Sequence, residues 1–104
     1  MRPIHRAALD KRRPVLLLTP VEKLPWVSQV TVAPILTRAR GLHTELPVGE
    51  SEGLDHPSVI TCESITTILR GMLGERIGGL PADREWELRQ AVLDAFELFT
   101  ADLP

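Results

Sequence analysis

Three cations directly precede an apolar run in the segment KRRPVLLLT, residues 11–19. Lys11, Arg12 and Arg13 come first, and Pro14 stands at the junction. A buried strand gains nothing from cations at its first residues, so these side chains indicate a negatively charged ligand. A guanidinium offers a rigid fork of donors and stays charged at physiological pH, so it can hold a phosphate and stabilise charge that develops on it.

A second set of donors follows the next apolar run, residues 28–35. It comprises Thr37, Arg38 and Arg40, and the Thr37 hydroxyl would add a neutral donor beside a phosphate. If the two runs are paired strands, the donors at their ends converge at one end of the sheet. The alternative for each arginine is a solvated strand end, and the residues taken one by one favour that alternative.

The charges are unevenly distributed although the whole chain has a net charge of −2. Residues 1–43 hold eight Lys/Arg against two Asp/Glu, whereas residues 44–104 hold four against twelve. Cations clustered in a small fold produce a local positive potential that attracts phosphate backbones even when the protein is slightly acidic overall. The charge pattern alone fits a nucleic-acid ligand and a solvated charged face equally well, so the placement of the cations has to decide between them.

Other chemistries find little support. The chain has no glycine-rich phosphate loop, HExxH, CxxC or GxSxG motif. His5, His43 and His56 lack ligand-like spacing, and Cys62 is the single cysteine. One cysteine excludes an internal disulfide and a multi-cysteine zinc site, and it suits the reducing cytoplasm. We expect neither a metal nor a cofactor, and we interpret Cys62 as a buried structural residue.

The apolar pattern predicts short strands followed by one helix. With 104 residues, 43% hydrophobic and 25% charged, the chain fits one soluble domain spanning residues 1–104, and no apolar run is long enough to cross a membrane. Strands are predicted at residues 14–19, 28–35, 42–48, 58–62 and 76–80, with a loop at 20–26. Residues 83–98 predict an amphipathic helix. Its apolar face would carry Leu88, Val92, Ala95 and Phe99. These elements predict an α+β fold, a curled sheet or partial barrel with the helix over an open face.

Five segments, in this order and spacing, resemble the MazF/PemK family of toxin endoribonucleases. They are RRPVLLLT, VTVAPILT, GLHTELPV, GLDHPSVITCESITTI and LGERIGGL, and together they span nearly the whole chain. The resemblance implies a small SH3-like β-barrel of the PemK/CcdB type with a C-terminal α-helix. It also implies a homodimer that cleaves single-stranded RNA at short sequence motifs without a metal, held inactive by a cognate MazE-like antitoxin.

The same resemblance implies roles for individual residues. The arginine of the family's Arg-Pro-Val strand is its principal catalytic residue and corresponds to Arg13. The family's Thr or Ser falls on Leu36 in an ungapped alignment, so Thr37 can take its role only if the chain bulges or has left the strand there. The loop before Arg13 is shorter than is usual in the family. RNA-binding roles are expected for Lys11, Arg12, Arg38 and Arg40.

In the chemistry this implies, the RNA 2′-OH attacks the adjacent phosphorus and the 5′-oxygen leaves. A 2′,3′-cyclic phosphate and a 5′-OH end result, and the reaction needs geometry, a cation and proton transfer. Arg13 suits the cation but is a poor base, because arginine is hardly ever deprotonated in proteins. His5 and Glu63 remain open as candidates for the base.

Two alternative functions remain open for the same barrel. One is a non-catalytic toxin similar to the gyrase poison CcdB, which the leucine at position 36 favours. The other is a generic SH3-like module that binds nucleic acid or peptide with strong salt dependence and cleaves nothing.

Overall fold

The computed structural model describes residues 1–98, which form a curled antiparallel sheet followed by one α-helix. The strands are β1 Arg2–Ala8, β2 Arg12–Leu17, β3 Gln29–Leu36, β4 Glu45–Val48, β5 Ser58–Thr61, β6 Thr66–Leu69 and β7 Leu73–Leu80. Helix α1 spans Glu85–Ala95. The predicted α+β class is confirmed.

The strands lie in the order β4-β5-β3-β2-β1-β7, and β6 also pairs with β3. Strands β1 and β2 form a tight hairpin in which Ala7 pairs with Arg13. Strand β3 pairs with β2 on one side, while on the other its first half pairs with β6 and its last residues pair with β5. The pairing of β2 with β3 is the one on which convergence of the two donor sets depends.

Both faces of the central strands are buried, which explains the unbroken apolar run in β2. Leu16 belongs to the larger core beneath α1, whereas Val15 and Leu17 belong to a second cluster on the other face of the sheet. Successive side chains of a strand point to opposite faces, so a strand covered on both sides has no polar alternation. The same reason gives β3 its apolar sequence.

Helix α1 covers the larger core with Leu88 and Ala91, which are 5% and 4% exposed. Val92 and Ala95 pack partly buried against the same core, whereas Phe99 lies outside the described residues. Burying one leucine side chain contributes about 1.5–3 kcal/mol. The helix begins two residues later and ends three residues earlier than predicted, and residues 82–84 form a 3₁₀ turn before it.

The strand predictions were right for the central elements and less accurate elsewhere. The strand predicted at 42–48 begins only at Glu45, and the one predicted at 76–80 begins at Leu73. The predicted loop at 20–26 contains a 3₁₀ helix, and strands β1 and β6 were not predicted. These two strands contain polar residues at positions that alternation alone does not separate from loops.

The glycine pair Gly78-Gly79 marks both a bulge and a close backbone approach. The register between β1 and β7 shifts next to this pair, where Ile4 pairs with Gly78 but His5 pairs with Arg76. A side chain at Gly78 would collide with the carbonyl oxygen of Glu52. A residue without a Cβ is therefore required at this position.

Within residues 1–98, no helix is long and apolar enough to cross a membrane. The same residues contain no group of three His, Cys, Asp or Glu side chains that could hold a metal ion.

Candidate nucleic-acid interface

The antiparallel pairing of β2 and β3 brings the two predicted donor sets to one end of the sheet. Strand β2 begins at Arg12 and β3 ends at Leu36, so Arg12 and Arg13 lie at the same end as the loop that starts with Thr37. The β1–β2 hairpin contributes Asp10 and Lys11 to this end. The convergence expected from the sequence is therefore observed for the backbone positions.

Arg13 forms a two-point salt bridge with Asp10 across the hairpin turn. Its Nε donates to Asp10 Oδ1 at 2.9 Å and one terminal nitrogen donates to Oδ2 at 3.0 Å. The Arg13 side chain is 25% exposed and that of Asp10 is 69% exposed. The pair thus lies at the surface, not inside the protein, and a ligand approaching from solvent can reach it.

The contact with Asp10 leaves much of the Arg13 guanidinium available. A guanidinium has five N–H donors, and a side-on carboxylate uses two of them, one on Nε and one on a terminal nitrogen. The other edge, between the two terminal nitrogens, retains a fork that can donate to two oxygens of a phosphate. Asp10 therefore orients Arg13 without occupying the edge that a phosphate would use.

The pair with Arg13 keeps the Asp10 carboxylate ionised. The hydrogen bond from Arg13 lowers the pKa of Asp10 to about 2 and raises the pKa of Arg13. A carboxylate with so low a pKa is a weak proton acceptor at neutral pH. Asp10 is therefore suited to hold the arginine in position rather than to act as the base.

Leu36, not Thr37, belongs to the face of β3 that corresponds to the Arg13 face of β2. Val15 pairs with Pro34, and Arg13 and Leu36 each lie two residues beyond this pair along their strands, where β3 has left β2 and Leu36 pairs with Val59 of β5. Side chains of directly paired residues lie on the same face of a sheet. Thr37 follows the last residue of β3, is exposed and lies in a bend, so its side chain is not bound by the alternation of the strand.

His5 lies on the same face of the sheet as Arg13. It pairs with Val15, two residues along β2 from Arg13, which makes the two side chains diagonal neighbours. The Nδ1 atom of His5 is 2.8 Å from the carbonyl oxygen of Gly74, so Nδ1 carries the proton and donates it to that oxygen. This leaves Nε2 as a proton acceptor when the ring is neutral.

The loop between β3 and β4 is anchored by the carboxylate of Glu45. Glu45 accepts hydrogen bonds from the backbone N–H groups of Arg40 at 2.9 Å and Leu42 at 3.0 Å. Its side chain is 4% exposed. Hydrogen bonds from the backbone, chiefly that of Leu42, lower the pKa of Glu45 despite its burial. The carboxylate thus fixes the segment that carries the predicted RNA-binding residues.

The remaining predicted RNA-binding residues differ in their contacts. Arg40 Nε is 3.7 Å from Glu45 Oε2, and a terminal nitrogen of Arg40 is 3.6 Å from Glu63 Oε1. The Arg40 guanidinium thus lies between two carboxylates. Arg38 and Lys11 are exposed. Glu63, a candidate base, is therefore associated with Arg40, whereas His5 shares a face with Arg13.

Arg12 points to the other face and meets Arg6, which was not predicted from the sequence. One oxygen of Glu75 lies 3.5 Å from Arg6 and 3.8 Å from Arg12. Beside them is a cavity of about 240 Å³ lined also by Gly71 and Gly74. A concavity of about 270 Å³ near Arg2 and α1 contains none of the predicted site residues.

Two residues that shape this end of the sheet were missed because their contacts depend on pairing. Asp10 stands three residues before Arg13, a spacing that becomes a contact only when the chain reverses between them. Recognising residues 2–8 as a strand would have revealed the hairpin and hence this pair. Arg6 meets Glu75 across β1 and β7, and no local signal in the sequence connects residues so distant.

Comparisons with known proteins give a consistent result. Residues 3–96 match the family model described as PemK-like, MazF-like toxin of type II toxin–antitoxin system. The chain is 51% identical over 98 residues to the curated protein "Endoribonuclease MazF3" of Mycobacterium tuberculosis strains CDC 1551/Oshkosh and H37Rv, covering 94% of this chain and 95% of the relative.

Solved structures agree with the sequence comparisons. The structure titled "Mycobacterium tuberculosis toxin MazF-mt6" is 49% identical, superimposes with a TM-score of 0.92, and covers 95% of this chain and 100% of that one. A structure titled "Endoribonuclease in complex with its cognate antitoxin from Mycobacterial species" has a TM-score of 0.82 at 20% identity and covers 95% of each chain. The second likeness, at so low an identity, supports the fold alone.

Proposed function

The chain belongs to the PemK-like, MazF-like toxin family of type II toxin–antitoxin systems, and we propose that it is a toxin endoribonuclease that cleaves single-stranded RNA. The proposal rests on the orientation and exposure of the Arg13 guanidinium. Its guanidinium is held in a fixed orientation by Asp10 at the exposed end of a buried strand, with one donor edge left over. The 51%-identical relative, which is named an endoribonuclease, supports the same activity.

The reaction we propose is cleavage by internal transfer. The 2′-OH gives its proton to a general base as its oxygen attacks the adjacent phosphorus. The bond from phosphorus to the 5′-oxygen breaks, this oxygen takes up a proton, and the products are a 2′,3′-cyclic phosphate and a 5′-OH end. The free edge of Arg13 donates to the non-bridging oxygens as charge accumulates on them. Such preorganised donors act most strongly where charge develops in the transition state, and this step needs no metal.

Thr37 is proposed as the second donor to the scissile phosphate, and Lys11, Arg12, Arg38 and Arg40 as contacts to the RNA backbone. Thr37 has left β3, so its hydroxyl can turn towards the end of β2, a freedom that a residue within the strand would lack. Backbone contacts of this kind position RNA without reading its bases. The sequence at which the protein cuts is proposed to be a short motif.

His5 is the better-placed candidate for the base. It shares a face with Arg13 and keeps Nε2 available, whereas Glu63 is paired with Arg40. General bases contribute roughly 10²–10⁴-fold to rate. We expect His5→Gln to lower kcat by at least about tenfold and Glu63→Gln to leave it within about threefold. The reverse order of effects would transfer the role to Glu63.

The decisive experiment incubates the purified protein with mixed-sequence single-stranded RNA in EDTA and identifies the new ends. We expect discrete fragments with 2′,3′-cyclic phosphate and 5′-OH ends, and no fragments from the Arg13→Ala variant with an unchanged thermal transition. Intact RNA at micromolar enzyme would contradict the proposal. Unfolding of the variant would instead assign Arg13 a structural role.

A homodimer and a MazE-like antitoxin are the proposed protein partners, and the cytoplasm is the proposed compartment. Exposed apolar side chains support association, among them Trp26 at 86%, Trp86 at 69% and Leu69 at 58% exposure. The family model that matches residues 3–96 describes toxins of type II toxin–antitoxin systems and supports the antitoxin. Light scattering at micromolar concentration should give twice the chain mass, and a monomer would contradict the dimer.

A non-catalytic toxin on the same barrel, similar to CcdB, is the second candidate. Leu36 favours it, because the last residue of β3 on the face that Arg13 shares has no hydroxyl. Gyrase-dependent DNA breaks without RNA fragments would support this alternative, and RNA fragments alone would exclude it.

A further inference from the structure

Two guanidinium groups converge on the side of the sheet that Arg13 does not face. Arg6 pairs with Pro14, two residues along β2 from Arg12, so Arg6 and Arg12 are diagonal neighbours on one face. Arg13, the next residue after Arg12, projects to the other face. The two cations therefore form a cluster of their own, one strand position away from the proposed scissile phosphate.

A carboxylate already lies between these two cations, and it holds them loosely. Glu75 Oε1 is 3.5 Å from Arg6 Nε and 3.8 Å from Arg12. Both distances exceed the 2.7–3.2 Å of protein N–H···O hydrogen bonds. The side chains are 37%, 68% and 65% exposed for Arg6, Arg12 and Glu75. Most of the donors on the two guanidinium groups are thus free to bind a stronger acceptor.

Space for that acceptor exists beside the cluster. The cavity of about 240 Å³ is lined by Arg6, Arg12 and Gly74, with Gly71 and Met72 at its side. A Cβ at Gly74 would lie 3.0 Å from the Arg6 carbonyl oxygen and 3.8 Å from a terminal nitrogen of Arg12. Glycine at position 74 therefore leaves open the space beside the Arg12 guanidinium.

We propose that Arg6 and Arg12 form a second phosphate subsite, which binds a non-scissile phosphodiester of the single-stranded RNA, and that Glu75 occupies this subsite when RNA is absent. The inference rests on the proposed nuclease function. Arg12 and Arg13 are consecutive residues at the start of β2, so the two subsites lie on opposite faces of the hairpin at its tip. The RNA backbone crosses the tip of the β1–β2 hairpin, with one phosphate on each side.

A phosphodiester replaces Glu75 because it binds both guanidinium groups at once through its non-bridging oxygens. Arginine holds phosphate through paired N–H donors, and charge-assisted bonds of this kind are the stronger ones. The displaced carboxylate moves into water, which costs little because Glu75 is largely exposed. Glu75 thereby weakens RNA binding, so its removal is expected to strengthen it.

The test measures affinity for a fluorescent 12-nucleotide RNA of mixed sequence in which every 2′-OH is methylated. This probe cannot be cleaved by the proposed reaction, so binding is separated from catalysis. We expect Arg6→Gln and Arg12→Gln each to weaken binding three- to tenfold and to lower the slope of log Kd against log salt by about 0.7. Arg89→Gln, an exposed arginine on α1, is the matched control.

The double variant Arg6→Gln/Arg12→Gln decides whether one phosphate is shared. One shared phosphate predicts a slope lowered by about 0.7 in the double variant, as in each single variant. A decrease of about 1.4 would mean two separate phosphates and would overturn the shared subsite. Losses no larger than that of Arg89→Gln would also overturn it.

Glu75→Gln and a glycine pair test the rest of the arrangement. Glu75→Gln should lower the Kd for the RNA about threefold relative to Glu50→Gln. The second variant removes another exposed carboxylate and serves as the matched control. Gly74→Ala should weaken binding without a change of charge, whereas Gly71→Ala, whose Cβ would meet nothing within 4 Å, should not. Equal effects within either pair would contradict the proposed occupancy of the cavity. Thermal unfolding of each variant confirms that the fold is retained.

The two proposals fail in different ways. If ordinary RNA stays intact but the methylated probe shows these losses, the cleavage proposal is wrong and the phosphate subsite stands. If ordinary RNA is cleaved and the probe shows no loss in the Arg6 or Arg12 variants, the subsite is wrong and the nuclease stands.

Discussion

The two faces of the β1–β2 hairpin carry arginines in opposite states. On one face Arg13 is locked to Asp10 by two hydrogen bonds of 2.9 and 3.0 Å. On the other, Arg6 and Arg12 share one oxygen of Glu75 at 3.5 and 3.8 Å. Arginine and carboxylate side chains thus give a fixed cation on one face and two adjustable cations on the other.

The difference corresponds to two different tasks. A group that stabilises a transition state must be in position before the reaction, because reorienting it during the reaction adds to the barrier. A group that binds an unreacting phosphate only has to supply attraction and can adjust. The diagonal partner of Arg13 is His5, a group that can transfer a proton, whereas the diagonal partner of Arg12 is a second cation.

The largest expected effect is that of Arg13→Lys. Lysine keeps the charge but lacks the planar fork, so it cannot bind Asp10 side-on and a phosphate with its other edge. We expect kcat to fall about 10²- to 10³-fold. Arg12→Lys should act on KM and raise it only a few-fold, since loose contacts tolerate a point charge. Equal losses of kcat in the two variants would erase the distinction between the faces.

Asp10→Asn should have the next largest effect. Asparagine has nearly the same shape but no charge, so the side-on pair weakens and Arg13 gains orientational freedom. We expect kcat to fall about tenfold with KM nearly unchanged, because misplacing a catalytic group slows the chemical step. Single-turnover cleavage at saturating RNA measures this. An unchanged kcat would show that Asp10 does not position Arg13.

Thermal unfolding measured as a function of pH tests the ion pair between Arg13 and Asp10. The pKa of Asp10 is lowered from 3.8 to about 2 in the folded protein. A lowered folded-state pKa means that the contribution of the pair is complete above about pH 4 and is lost as the pH falls through about 2. The difference in Tm between the wild type and Asp10→Asn should therefore shrink across this range. A difference independent of pH would contradict the ion pair.

Substitutions at Leu36 and Thr37 are expected to have an intermediate effect, and they test which of the two positions faces the phosphate. If the hydroxyl at the end of β3 is supplied by Thr37, Thr37→Val should lower cleavage about fivefold, the usual value of one neutral hydrogen bond. Leu36→Thr should then raise cleavage in the Thr37→Val background, because position 36 lies on the face of the sheet that Arg13 shares. Failure of Leu36→Thr to restore activity would show that position 36 does not face the phosphate, and unchanged cleavage by Thr37→Val would show the same for position 37.

The smallest effect is expected from Glu45→Gln, away from both faces of the hairpin. The variant keeps one acceptor for the N–H groups of Arg40 and Leu42 but loses the charge that strengthens those bonds. Hydrogen exchange at these two amides should become several-fold faster, with cleavage lowered by about threefold or less. Unchanged exchange would show that the loop is held by other contacts.

Much of the fold could be predicted from the sequence, because burial imposes local patterns. The apolar runs of β2 and β3 and the 3.6-residue periodicity of α1 were recognised, and their approximate places were right. Strands β1 and β6 were missed since each mixes polar and apolar residues. The start of β4 at Glu45 was missed for another reason. The Glu45 carboxylate accepts a hydrogen bond from the Arg40 backbone N–H, so the preceding residues form a loop and the strand begins later.

The candidate site was predictable only in part. The sequence indicated that the strand ends carrying Arg13 and Thr37 lie at one end of the sheet if the two strands pair, and β2 and β3 do pair. It gave no indication of Asp10, Arg6 or Glu75, which become neighbours through the hairpin and through β7. Residue types can identify a cation, but its ion-pair partner depends on which strands pair.

The sequence by itself determined which residues are buried, where the cations cluster and to which family the chain belongs, because these follow from residue types and their order. Only the tertiary structure decided that Arg13 is fixed by Asp10 and that Arg6 joins Arg12 on the opposite face. The physical reason is the register of β1 with β2. A shift by one residue would leave every local pattern unchanged and exchange the faces on which these side chains meet.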